Sequence, residues 1–175
     1  MAKRLFFLPL QADTLTMSKS NTSPFASKSF ASLAEDSGFL MLQVSSLWAH
    51  YHNKAVKKHY GLTHIQYAVL TSVYWLSLHS EKQITQTILA QHTKIKPMTI
   101  SQILNVLENK NYVCRTTHLT DVRAKAVEVT PQGKELLDKA VKTIFEVDTA
   151  FFSVLDKNIK HFNHYMFELL NANDL

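Results

Sequence analysis

The sequence predicts a mainly α-helical fold with one small β-hairpin. Apolar residues recur at helical spacing through most of the chain after residue 36, which is typical of amphipathic helices. Only 3 glycines and 4 prolines occur in 175 residues, and this composition disfavours an all-β or an unfolded chain. Between residues 112 and 129, two short runs of strand-forming residues flank a polar loop, as they would in a hairpin.

Length and composition limit the class of protein. The chain has 175 residues, 46% of them hydrophobic, which is enough for one domain with a sizeable core. A single cysteine excludes an internal disulfide framework and fits a reducing compartment. No apolar run reaches the roughly 18 residues of a membrane span, and the apolar run near the N-terminus is too short for a signal peptide. We therefore expect a cytoplasmic protein that does not enter membranes.

Residues 1–36 predict a flexible N-terminal arm. They are rich in serine, threonine, asparagine and alanine and show no helical or strand periodicity. Met17 could be an alternative start. The phenylalanines of the arm either dock on a partner subunit or belong to a loosely attached tail.

Two helices are predicted next. The first runs from about residue 37, capped by Asp36 or Ser37, to Tyr60, where Gly61 ends it. Thr63 and Gln66 have the spacing of a capping box and predict the start of the second. The predicted apolar stripes are Leu40, Val44, Leu47, Trp48, Tyr51 and Ala55 in the first helix, and Ile65, Val69, Val73 and Leu76 in the second.

A helix-turn-helix is predicted from residue 85 onward. Thr85 suits the N-cap of a short helix, the polar run 92–94 interrupts it, and Pro97 suits the first position of the next helix. The second of these helices, residues 97–110, has apolar residues at helical spacing that we expect to be buried: Ile100, Ile103, Leu104 and Leu107.

The opposite face of helix 97–110 bears hydroxyls, amides and a thioether, and almost no charge. Such groups can contact base edges in the major groove of DNA, so this helix is the predicted recognition helix. The alternative is a helix face that is merely solvated. The predicted base contacts are Met98, Thr99, Ser101, Gln102 and Asn105.

A hairpin follows the predicted recognition helix. Strands at 112–115 and 126–129 flank a loop, 116–125, that carries Arg123 and could reach a minor groove. Asp121 could hold the guanidinium of Arg123 or of Arg115 in place, which makes Asp121 and Arg115 the predicted organisers of this wing. A helix-turn-helix followed by such a hairpin is a winged helix-turn-helix.

The positive charge of the chain is concentrated in this predicted DNA-binding region. The net charge is +5, and residues 82–125 hold seven lysines and arginines against two acids, so the remainder is neutral. Contact with DNA phosphates requires such an excess. The predicted contacts to the DNA backbone or minor groove are Lys94, Lys96, Lys110, Arg123 and Lys125.

A further helix is predicted after the hairpin, capped by Thr130 with Pro131 at its first position. Residues 156–158 interrupt its apolar pattern, and a last amphipathic helix follows. These helices carry more apolar surface than a lone chain can bury, so we expect them to interlock with a second copy.

Two motifs give the region a family resemblance. Residues 121–125 have the sequence DVRAK, and residues 129–133 have the sequence VTPQG. In this order after the recognition helix, they resemble the wing and the following helix start of the MarR family of bacterial regulators. The resemblance extends from about Ser37 to the C-terminus. Lys96, where a capping residue is usual, and Asn111, where glycine is common, depart from the pattern.

The resemblance implies a homodimeric DNA-binding regulator, a repressor rather than an activator, that binds a pseudo-palindromic operator in double-stranded DNA. Residues 37–62 and 131–175 would form the dimerisation layer, and residues 63–130 the DNA-binding region. A small, often aromatic, ligand would release the DNA. We expect a ligand crevice lined by Trp48, Tyr51, His52, Tyr74 and Trp75, unless these aromatic residues are plain core.

Other functions are weighed against this one. No glycine-rich phosphate loop, nucleophile elbow or paired-carboxylate signature suggests an enzyme, and no cofactor or metal is expected. The nine histidines are more simply surface residues than zinc ligands, and Cys114 is more simply a buried or half-buried inert thiol than a redox sensor. A winged helix used only for protein contacts, or a metal- or redox-responsive regulator, remains the alternative.

Overall fold

The computed structural model describes residues 36–119 and 124–173. It confirms the predicted mainly α-helical fold with a β-hairpin. The elements are α1 (Ser37–Tyr60), α2 (His64–His79), α3 (Gln86–Thr93), α4 (Pro97–Asn109), β1 (Val113–Thr117), β2 (Lys125–Val129), α5 (Pro131–Phe152), a 3-10 segment (Ser153–Asn158) and α6 (Ile159–Ala172).

The chain divides by its contacts into residues 1–40 and residues 41–175. Of the first unit, the structure describes residues 36–40. The Asp36 carboxylate there accepts a hydrogen bond of 2.8 Å from the backbone N–H of Phe39, which is the predicted cap of α1.

The helix starts follow from local side-chain chemistry. Thr63 accepts from the N–H of Gln66 at 3.2 Å, and the Gln66 side chain accepts from the N–H of Thr63 at 2.9 Å, completing the predicted capping box. Thr85 and Thr130 cap α3 and α5 through their hydroxyl oxygens, which accept from the N–H of Ile88 at 3.3 Å and of Gly133 at 3.0 Å. Pro97 opens α4 as predicted, with no side-chain cap from Lys96.

Two residues with positive φ shape the ends of the helix-turn-helix. Lys94 (φ 58°) ends α3, and the Gln86 side chain donates to the Pro97 carbonyl at 2.9 Å across the turn. Asn111 (φ 58°) follows α4, and the N–H of Tyr112 donates to the Leu107 carbonyl at 2.9 Å. This is a Schellman-type ending, in which asparagine replaces the usual glycine.

The hydrophobic core lies beneath α4. Its apolar stripe is buried as predicted, and side chains of α2, α3, α5 and the hairpin pack around it. Ile65 of the predicted α2 stripe is an exception, since it lies in the first turn and is 37% exposed. The fully buried core side chains are Val56, Leu62, Val69, Leu70, Val73, Leu89, Ile100, Leu104, Leu107, Val113 and Val127.

The strands of the hairpin extend farther toward its tip than predicted. Val113 pairs with Val129 at one end and Thr117 with Lys125 at the other, so the loop is 118–124 rather than 116–125. The β-branched side chains of Thr116 and Thr117 favour extension of the strand. The N–H of Val127 donates to the Ile84 carbonyl at 2.8 Å, which attaches the hairpin to the start of the helix-turn-helix.

Large apolar side chains are exposed along α1, α5 and α6, in addition to Trp75 and Leu78 of α2 and Met98 of α4. No residue of α6 is buried, and α5 exposes Val141 and Phe145. The large exposed apolar residues of α1 from residue 41 onward and of α6 are Met41, Leu42, Val44, Leu47, Tyr51, Tyr165, Met166, Phe167, Leu169 and Leu170. Within the described ranges, no helix combines the length and apolarity that crossing a bilayer would need.

The start of α5 packs so closely against the base of the hairpin, at Tyr112 and Val129, that Gly133 has no room for a side chain. A Cβ atom there would lie 2.2 Å from the Tyr112 carbonyl oxygen and 2.8 Å from Cγ1 of Val129. We therefore expect Gly133→Ala to lower the free energy of unfolding by about 2 kcal/mol or more in chemical denaturation.

Gly38→Ala is the matched control, because its new Cβ would meet only the Asp36 side chain, at 3.3 Å. This control should change stability by less than about 1 kcal/mol. Equal stabilities of the two variants would contradict the close packing at Gly133.

Candidate nucleic-acid interface

The exposed face of α4 lies opposite its buried stripe. Met98 is 76% exposed, and Gln102 and Asn105 follow it at helical spacing on the same face. Thr99 and Ser101, the other predicted base contacts, are half-buried at the edges of this face. Within α4, the amides of Gln102 and Asn105 and the thioether of Met98 are therefore the groups best placed to enter a groove.

The predicted phosphate-contacting lysines surround this face. Lys94 ends α3, Lys96 precedes α4, and Lys110 follows it, and all three are exposed. Lys125 is exposed at the end of the hairpin, where it pairs with Thr117. The positions therefore suit contacts to phosphates on both sides of a groove entered by α4. Arg123 and Asp121 lie outside the described residues.

Arg115 connects the hairpin to α4. Its Nε donates to the Glu108 carboxylate at 3.0 Å, and its Nη2 donates to the same carboxylate and, at 2.7 Å, to Oδ1 of Asn105. The hydrogen bonds from Arg115 hold the pKa of Glu108 below its usual range, so this carboxylate is ionised at neutral pH.

The sequence did not reveal this contact. It suggested Asp121 as a partner for Arg115 and counted Glu108 only as an acid. A basic residue on the strand that follows an acidic helix end was the available signal, but the sequence does not specify which way either side chain points.

A cleft of about 520 Å³ lies between the start of α3 and the hairpin. It combines the N-terminal end of a helix, hydroxyl groups and cationic side chains, which together suit an anion such as a DNA phosphate. The polar residues lining it are Thr85, Gln86, Thr87, Arg115, His118 and Lys125.

A second polar cluster joins α1 and α5. The Trp48 indole donates to Oδ1 of Asp148 at 2.8 Å, and Nε2 of His52 lies 2.7 Å from the same oxygen. The Trp48 and His52 ring centroids are 4.2 Å apart. His52 is only 4% exposed, so the prediction that the histidines are surface residues is wrong for His52. Its partner carboxylate compensates for the burial of the ring.

His64 extends this cluster toward α2. The N–H of His64 donates to Oδ1 of Asn53 at 2.9 Å, which leaves the Asn53 amide nitrogen to donate to Nδ1 of His64 at 3.0 Å. His64 must therefore be unprotonated at Nδ1. Burial, and to a smaller extent the neighbouring His52, lower the pKa of His64 below its ordinary value.

The five residues predicted to line a ligand crevice fall into separate groups. Trp48 and His52 meet at Asp148, whereas Tyr51 makes an edge contact with Phe151, at 6.0 Å between ring centroids. Tyr74 packs against the core. Trp75 stacks instead with two histidines, His79 at 4.3 Å and His92 at 5.2 Å.

Cys114 is exposed, so its prediction as a buried or half-buried thiol is wrong. Val113 is the buried neighbour, and alternation along the strand turns Cys114 to the outer face of the hairpin. Among residues 36–119 and 124–173, no three histidine, cysteine or acidic side chains are grouped as a metal site would require.

Comparisons with known proteins agree with this geometry. Residues 52–140 match the family model described as transcriptional regulator SarA/Rot. The chain is 31% identical over 120 residues to the uncharacterized HTH-type transcriptional regulator YdcH of Bacillus subtilis strain 168, covering 69% of this chain and 80% of YdcH.

Solved structures share the fold. Sco3205 of Streptomyces coelicolor, a MarR family transcriptional regulator in complex with DNA, has a TM-score of 0.68 and 19% identity, covering 76% of this chain and 86% of that chain. CouR of Rhodococcus jostii RHA1, bound to p-coumaroyl-CoA, has a TM-score of 0.66 and 24% identity, covering 80% and 93%.

The lowered pKa of His64 predicts a loss of stability in mild acid. Because the folded state disfavours the proton at His64, the unfolded chain takes it up first as the pH falls through the ordinary value of about 6.5. The stability contributed by this site is thus present above that pH and lost below it. We expect His64→Gln to make the fall in unfolding free energy between about pH 7.5 and 5.5 shallower, measured by urea denaturation.

His161→Gln, at an exposed position on α6, is the control and should keep the wild-type pH dependence. A His64→Gln profile that parallels the wild type would contradict this assignment.

Proposed function

This chain belongs to the SarA/Rot family of transcriptional regulators, and we propose that it acts as a homodimeric repressor of an operator in double-stranded DNA. A single observation carries the proposal. The exposed face of α4 bears amides and a thioether without a net charge, with exposed lysines at both ends of the helix. Uncharged polar groups suit base edges and the lysines suit phosphates, as a recognition helix requires.

The proposed mode of binding places α4 in the major groove and the hairpin loop over the adjacent minor groove. Sco3205, whose fold is similar, is a regulator solved with DNA. In our proposal, Met98, Gln102 and Asn105 contact bases, with Thr99 and Ser101 at the margin. The lysines and Arg123 contact the backbone or the minor groove.

Pairing of two subunits would account for the apolar surface of α1, α5 and α6. A stripe of this extent in a lone subunit is an aggregation hazard, and burial against a second copy removes it. The pairing would also present two recognition helices to half-sites about one DNA turn, roughly 34 Å, apart, as a pseudo-palindromic operator requires.

We further propose that a small aromatic ligand controls DNA binding from the Trp48–His52–Asp148 cluster. CouR, similar in fold, was solved with p-coumaroyl-CoA. The cluster joins α1 of the proposed dimerisation layer to α5, which leads directly from the hairpin. A ligand that binds better to one spacing of the recognition helices would shift the dimer toward that spacing and change operator affinity.

The test is a gel shift with purified protein and the DNA that flanks its own gene, repeated across salt concentrations. A regulator should give a discrete complex that weakens steeply with salt, because phosphate contacts release counterions. A winged helix that serves only protein contacts should shift no DNA.

Family membership favours a regulator over an enzyme, and we propose no catalytic role. Since the proposed DNA target lies on the chromosome, we propose that the protein acts in the cytoplasm.

Arg123→Ala tests the wing. Removing a guanidinium from the minor groove should weaken operator binding by more than about tenfold, with an unchanged circular dichroism spectrum. Lys54→Ala, an exposed charge on α1, is the control and should bind like the wild type. Full affinity of Arg123→Ala would remove the wing from the mechanism.

Phe145→Glu tests the dimer. Phe145 is 70% exposed on α5, and a buried carboxylate would oppose pairing, so the dimer dissociation constant should rise by about tenfold or more in sedimentation equilibrium. Leu119→Glu makes the same kind of change at an 84% exposed hairpin position and should leave pairing intact. A monomeric wild-type protein would contradict the proposed assembly.

A further inference from the structure

Asn105, on the exposed face of α4, is already held by the side chain of Arg115. Its Oδ1 accepts a hydrogen bond of 2.7 Å from Nη2 of Arg115, and it remains exposed on α4. Arginine has only donor groups, so the oxygen of the Asn105 amide must face Arg115. The orientation of this amide is therefore fixed by chemistry, and its NH₂ group is the part left for another partner.

Arg115 is itself held in position. Its Nε and Nη2 both donate to the carboxylate of Glu108, one turn along α4 from Asn105. The side chain of Arg115 is only 21% exposed, so the guanidinium is pinned against the helix rather than extended into solvent. The pairing also draws the Glu108 carboxylate away from accepting a hydrogen bond from the N4 amino group of cytosine.

The usual partner of an asparagine in the major groove is adenine. Asparagine donates to N7 of adenine and accepts from its N6 amino group, so that contact requires both halves of the amide. Here Arg115 occupies one of the two lone pairs of the accepting oxygen, and its guanidinium places positive charge beside any base amino group that would approach the other. Guanine, with acceptors at N7 and O6, and thymine, with an acceptor at O4, present no amino group at this edge.

We propose that Arg115 is a positioning residue that turns Asn105 into a donor-only contact, so that Asn105 selects guanine or thymine and rejects adenine and cytosine at one position of each half-site. This inference rests on the proposed function, since it concerns what the recognition helix selects once it binds DNA. It adds to that function a base-edge class and the residue that sets it.

The experiment selects binding sites from a random duplex library with the full-length protein. In the wild-type selection, one symmetric position should favour guanine or thymine over adenine by about tenfold. Asn105→Asp keeps an acceptor for Arg115 but removes the donor, so the preference at that position should disappear while the other positions keep theirs. The position that Asn105 contacts is the one whose preference changes in Asn105→Asp. If the wild-type protein selects adenine at that position, the inference is wrong.

A double variant frees the amide. Glu108→Met together with Arg115→Met removes both ionic partners, leaves the net charge unchanged and replaces the pair with side chains of similar length. Asn105 can then use both halves of its amide, and the same position should change from guanine or thymine to adenine. If Arg115 served only to stabilise the fold, the double variant would bind every DNA site more weakly and would still select the same base at each position.

The matched control removes an exposed ion pair on α5. Glu135→Met with Lys139→Met deletes the 2.6 Å pair on α5 and should leave the selected sequence unchanged. Arg115→Lys is a milder second variant, because a lysine cannot bridge Glu108 and Asn105 with two parallel donors, and it should weaken the discrimination against adenine.

The outcomes distinguish a failure of the proposed function from a failure of the inference about Arg115. If the wild type enriches no sequence, the proposed function fails. If it enriches a sequence whose base preferences are the same in the double variant and in Arg115→Lys, the proposed function stands and the inference about Arg115 is wrong.

Discussion

The burial of one face of α4 is the constraint on which the rest of the structure depends. Ile100, Leu104 and Leu107 are fully buried against α2, α3 and the hairpin, so the helix can neither rotate nor slide without exposing them. The polar face is thereby fixed in direction. Every property of the proposed interface, from the exposure of Met98 to the placement of the lysines, follows from that one orientation.

Polar contacts refine what the core fixes. The core sets the axis of α4, whereas Arg115 sets the direction of individual groups on its outer face and ties the helix to β1. The hydrogen bond from Val127 to the carbonyl of Ile84 ties the second strand to the segment before α3. The helix-turn-helix and the hairpin thus form one unit, which explains how a hairpin can act together with a helix on the same DNA.

Local chemistry was predictable from the sequence, and tertiary direction was not. The caps at Thr63, Thr85 and Thr130 depend on residues within three positions, so the pattern of letters suffices to locate them. Helical periodicity likewise identified the buried stripe of α4. The outward direction of Cys114 and the burial of His52 depend on which strand face and which helix face meet the core, and periodicity over a short strand or around one histidine does not determine that. The contact of Arg115 with Glu108 depends both on the strand face from which Arg115 projects and on the helix face from which Glu108 projects.

The outward direction of Cys114 has a practical consequence. It is the single cysteine of the chain and lies on the outer face of the hairpin. A thiol-reactive spin label or dye would therefore attach at one site per subunit, beside the groove-facing surface and away from the core. In a two-fold assembly, the distance between the two labels would report the separation of the two hairpins directly. Pulsed spin resonance or energy transfer could measure it with no engineered cysteine.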